Sequence, residues 1–163
     1  MIRSLIFIVI SMLSDTLLAS AQTDPVEIAR SNLAASIATF AEKQQQCDDQ
    51  SAVLSPGPIK ALGLSEQQLK DVLTYHFLKA SVECTHAEAA EAIVNARLFK
   101  DLQPLMMQHE EDGSSLFTME MVKLLKLEAQ YNALPNAQRK SIDAIEALHK
   151  PFRLIESAEA LGL

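Results

Sequence analysis

The stretch SEQQLKDVLTYHFLKASVEC, residues 65–84, decides how this chain is read. Ser65 followed three positions later by Gln68 forms a capping box, the signature of a helix start. Beyond it, Leu69, Val72, Leu73, Phe77 and Ala80 recur at helical spacing on one side, and Tyr75, Leu78 and Val82 on another. A helix that is apolar around most of its girth belongs inside a core, so this segment is expected to be the central buried helix of an all-α protein.

Helical spacing extends in both directions from it. Upstream, Asp24-Pro25-Val26-Glu27 places a capping side chain, a Pro at the first helical position and an acid in the first turn. The stripe that follows, Val26, Ala29, Leu33, Ile37, Phe40 and Ala41, predicts a first helix ending near Gln46. Residues 47–64 are the least helical stretch, with Ser55-Pro56-Gly57-Pro58 at the centre and Gly63 closing a single turn over Ile59 to Leu62. Downstream, Thr85 and Glu88 repeat the capping box and predict a separate third helix, rich in Ala (Ala87, Ala89, Ala90, Ala92, Ala96), which stops or kinks at Pro104. A fourth helix should begin at Ser115 or Thr118, turn Phe117, Met121, Leu124 and Leu125 inward, and break at Leu134-Pro135. Ile142, Ile145 and Leu148 mark a fifth, and Pro151 sits in the first turn of a short last helix with Phe152, Ile155 and Ala158. The expected architecture is a compact bundle of five to six helices in one domain, residues 22–163.

The chain opens differently. A cationic start at Arg3, an apolar run from Leu5 to Leu18 and the small-residue site Ala19-Ser20-Ala21 have the pattern of a cleavable signal peptide over residues 1–21. The apolar run is too short for a membrane span, and Asp15 interrupts it. A soluble exported protein, periplasmic and without a stable membrane anchor, is the expectation. Export also decides the reading of Cys47 and Cys84. Two cysteines with no Cys-x-x-Cys spacing, in an oxidising compartment, read as a disulfide. Closing the loop between them contributes about 4 kcal/mol in the chain-entropy model. Such a bond would join the C-terminal ends of the first two long helices, which are therefore expected to run parallel.

The 163 residues carry a net charge of -7, which excludes a basic nucleic-acid binder. Cleavage would remove Arg3 and Asp15, one charge of each sign, and leave that balance unchanged. The sequence holds no Gly-x-Ser-x-Gly, no His-Glu-x-x-His, no phosphate loop and no haem-attachment motif, so a non-enzyme without a cofactor is expected.

Four features remain to be placed. Met106, Met107, Met119 and Met121 lie close together with His109 among them, and thioether and imidazole ligands suit Cu(I), so a metal carrier is the alternative function. Against it stands the adaptability of Met, which fills irregular gaps where helices meet. The acidic turn Glu110-Glu111-Asp112 and the pair Asp48-Asp49 lack the alternating spacing of a calcium loop and read as solvated segments. His76 falls on or beside the apolar face, as a hydrogen-bonded structural residue does; His86 lies next to the Thr85 cap, and His149 in a last turn favours the helix dipole. Finally, the broad apolar girth of residues 65–84 beside the Ala-rich helix calls for a bundle that closes over both. The alternative is an open groove for a partner's helix or an acyl chain.

Leu64-Ser65-Glu66-Gln67-Gln68 is similar, over those five residues, to the Leu-Thr-x-x-Gln element of small helical periplasmic stress chaperones; it implies a helix start and no function. The reading that unites these features is a non-catalytic exported binding protein acting on another macromolecule of the cell envelope. An inhibitor or immunity protein, or a chaperone-like adaptor, would fit, and the acidity favours a basic protein partner.

Overall fold

A computed structural model describes residues 24–103 and 114–163, with side chains from 119 onward in the second stretch. Residues 1–21, expected to be a cleavable leader, lie outside the described residues. Six α-helices and one short 3-10 helix account for most of the rest: α1 (Pro25–Asp49), α2 (Pro56–Lys60), α3 (Glu66–Leu102), α4 (Ser114–Asn132), α5 (Asn136–Asp143), the 3-10 helix Glu146–His149, and α6 (Leu154–Leu161). There are no strands among the described residues; a single parallel bridge pairs Ala52 with Phe152. None of the described helices is long and apolar enough to cross a membrane.

The helix starts follow the local chemistry. Asp24 Oδ1 accepts from the Val26 N–H at 3.0 Å, with Pro25 at the first helical position. Ser65 Oγ accepts from the Gln68 N–H and Gln68 Oε1 from the Ser65 N–H, so the capping box is reciprocal. Gly63, which precedes α3, sits at φ +63°, a conformation that suits glycine. At the far end, Gln103 is extended (φ -73°, ψ 144°), as the residue before Pro104 must be, and α3 stops at Leu102.

Three expectations change. Thr85 does not open a new helix: its hydroxyl donates to the Ser81 carbonyl at 3.0 Å and the helix runs on, so the predicted second and third helices are one element of 37 residues. A Thr that bonds back to the carbonyl four residues earlier leaves the backbone helical, whereas capping needs an extended residue. The predicted parallel pairing of the first two long helices is therefore also wrong. Cys47 is bonded to Cys84, with Cα atoms 6.4 Å apart, but Cys84 lies mid-helix. The Arg30 guanidinium lies 5.9 Å from the centre of the Phe99 ring, so α1 runs back along the second half of α3, antiparallel to it. Third, the fifth helix ends at Asp143 and resumes as the 3-10 helix, and Phe152 sits in the bridge to Ala52 before α6 begins at Leu154, so Pro151 lies outside that helix.

The core gathers at one end. Leu54, Ile59, Leu69, Val72, Leu73, Tyr75, Tyr131, Ile142, Leu148, Phe152 and Leu161 form one buried cluster from the segment before α2, α2 itself, the first half of α3, the end of α4 and the C-terminal elements. Each large aliphatic or aromatic chain so buried contributes about 1.5–3 kcal/mol. The segment between α1 and α2 is fixed to this cluster by two long-range bonds: the Arg153 N–H donates to the Ala52 carbonyl, and the Leu54 N–H donates to Ser157 Oγ, both at 3.0 Å. At the other end apolar chains stay exposed, Val94 at 57% and Leu98 at 52%. The expected central helix is thus central over its first half, where Leu69, Val72, Leu73, Tyr75, His76 and Ala80 are buried.

Candidate functional site

α1 and α4 both pack on α3. Cys47 fixes α1 to Cys84 on one side, and Tyr131 of α4 stacks on Tyr75 with ring centres 4.9 Å apart. Beside the half-buried middle of α3 a groove of about 350 Å³ opens, lined by residues of both flanking helices. Its apolar wall includes Phe40 from α1, Phe77, Leu78, Val82 and Ile93 from α3, and Phe152. Ala89 and Ala90 line it with small side chains, and Met121 of α4 contributes a thioether. The bundle therefore does not close over α3 as expected. One continuous 37-residue helix outruns the elements that cover its first half, and its Ala-rich stretch adds little bulk to fill the space.

The groove's charged lining is acidic. Asp48 comes from α1 and Glu120 from α4; His86 is the other titratable side chain, and the described walls contain no Lys or Arg. Both carboxylates line the one groove. Asp48 follows the cysteine bonded to Cys84. An apolar trough with a carboxylate on each wall is suited to holding a hydrophobic segment that bears positive charge.

A second constellation lies in the core. His76 is 1% exposed and neither ring nitrogen has a hydrogen-bond partner. Rings surround it edge-on: Tyr75 at 5.0 Å, Tyr131 at 5.3 Å and His149 at 5.6 Å between centroids. Burial above all, then the neighbouring His149 and Lys79, holds its pKa down to about 4, against a weaker opposite pull from Asp143 and the Leu148 backbone. The expected structural histidine is present, but without the hydrogen bond expected of it. Tyr131 donates to Asp143 Oδ1 at 2.5 Å and its hydroxyl lies 3.3 Å from the Arg139 carbonyl. Burial, and then that carboxylate, raise its pKa above the ordinary tyrosine value. His149 Nε2 lies 3.0 Å from the Asp143 carbonyl, so it engages a helix-end carbonyl of α5, not one in its own last turn. Sequence reasoning singled out His76 and His149 separately and missed that Tyr75, Tyr131 and Asp143 join them; the contacts cross four elements and have no spacing in the chain.

Among the sequence-predicted metal ligands, Met106, Met107 and His109 lie outside the described residues. Met119 is 65% exposed and Met121 42%, with Met121 on the groove wall. Among the described residues there is no group of three or more His, Cys, Asp or Glu side chains able to hold a metal ion. His86 Nδ1 lies 3.0 Å from the Glu83 carbonyl of its own helix. Compared with protein-family models, curated proteins and solved structures, the chain matches none.

Proposed function

We propose that this chain is a non-catalytic exported binding protein that holds another macromolecule of the cell envelope in the groove between α1, α3 and α4, in the manner of an inhibitor, an immunity protein or a chaperone-like adaptor. The observation that carries this reading is the open apolar groove itself. Phe77, Leu78 and Val82 line it half-buried and Ile93 lies exposed beyond them, an apolar surface left partly in water that a partner would cover. The position of the groove adds support. The disulfide holds one flank and the Tyr75–Tyr131 stack the other, so the trough is preorganised and a partner loses little free energy in shaping it. Export rests on the leader pattern of residues 1–21.

The test is capture from envelope extract by the mature, disulfide-bonded protein beside its Ala89→Trp variant, in which an indole fills the trough. A specific partner retained by the native protein and lost with the variant, at unchanged helical content, supports the reading; equal capture by both overturns it. N-terminal sequencing of the protein recovered from its source should begin at Gln22, and an intact Met1 would overturn the export half.

A further inference from the structure

The groove has a form and a charge that specify its occupant more narrowly than a macromolecule of the envelope, and the inference rests on that reading. α1 runs antiparallel to α3, as Cys47 on Cys84 and Arg30 against Phe99 establish, and α4 packs on α3 with Tyr131 on Tyr75. The groove lies beside α3, walled by residues of α1 and α4 and by Pro151 and Phe152, and a hydrophobic groove between helices is a place where a partner's helix can lie. The wall presents apolar chains at helical spacing along α3, Phe77 and Leu78, then Val82, then Ile93, with the small Ala89 allowing close approach. Such a surface accepts the i, i+3, i+4 and i+7 anchors of an amphipathic helix. The charged lining of the trough is Asp48 from α1 and Glu120 from α4, in a chain of net charge -7.

We propose that the groove binds a cationic amphipathic helix of a protein partner, its apolar face against α3 and its Lys or Arg residues flanked by Asp48 and Glu120. Acidic flanks on both sides reject an anionic helix with the same apolar face, which gives selectivity by sign as well as fit. The carboxylates stand at the solvent edge, so the attraction falls as salt screens it.

The experiment uses the mature oxidised protein and two synthetic 14-residue Leu-based amphipathic peptides with identical apolar faces, one with Lys and one with Glu on the polar face, titrated calorimetrically at low and high salt. The Lys peptide should bind at least tenfold tighter than the Glu peptide at low salt. Asp48→Asn with Glu120→Gln should erase most of that difference, and Ala89→Trp should abolish binding of both peptides. Equal binding of the two peptides, still lost in Ala89→Trp, would overturn the cationic partner and leave the groove reading standing. Lys-peptide binding that survives Ala89→Trp would overturn the groove itself. Saturable binding of dodecanoate with neither peptide bound would assign the trough to an acyl chain, and a dimer by light scattering that dissociates only in Ala89→Trp would assign it to a second copy. Either outcome overturns the proposal.

Discussion

Ser157 shows how much one small side chain can hold. It is fully buried, and its hydroxyl accepts from the Leu54 N–H across more than a hundred positions of sequence. Ser157→Ala leaves that buried N–H without its partner and should destabilise the protein by about 1–3 kcal/mol, measurable as a lowered denaturant midpoint at unchanged slope. His76 acts in the opposite sense. The unfolded chain takes up a proton on this ring near pH 6.5, whereas the folded state resists until about 4. Stability from this group is therefore intact above pH 6.5 and is lost as pH falls from there towards 4, by about 3 kcal/mol in all. His76→Leu should flatten the stability profile across that window while changing it little at pH 7.5, since it removes a buried group whose nitrogens have no partner. An unchanged acid limb in the variant would assign the pH dependence elsewhere.

At the scale of elements, the decisive object is α3. Its start was legible in the capping box at Ser65, and its end in Pro104. Its continuity was not, because Thr85 with Glu88 has the same local pattern as a true start. Only the neighbouring turns decide whether such a Thr adopts an extended backbone or bonds back to Ser81. The disulfide then acts between elements: Cys47–Cys84 holds α1 to the part of α3 that lies beyond the buried cluster, where packing alone contributes less. Cys47→Ser with Cys84→Ser should lower global stability by about 4 kcal/mol. The loss should fall unevenly, with amide exchange in α1 rising most and protection in the first half of α3 falling least. Uniform loss of protection would mean that the two ends of the molecule unfold as one.

For the whole molecule, function depends on what the bundle leaves uncovered. The buried cluster occupies one end, and the groove shares Phe77 and Phe152 with its edge but extends past it along α3 to Ala89 and Ile93. Filling the groove should accordingly leave the fold intact: Ala89→Trp should shift the melting temperature by only a few degrees while removing partner binding, and a large loss of stability would place Ala89 in the core instead. The sequence by itself determined the all-α class, the helix starts at Asp24 and Ser65, and the pairing of Cys47 with Cys84, because capping, periodicity and a single pair of cysteines are encoded within a few positions of the chain or by simple count. The antiparallel course of α1, the Tyr75–His76–Tyr131–His149 cluster and the open trough between Asp48 and Glu120 were decided only by the tertiary structure. Each is a relation between surfaces far apart in sequence, fixed by which faces find partners when the helices pack, and no local pattern records a face that finds none.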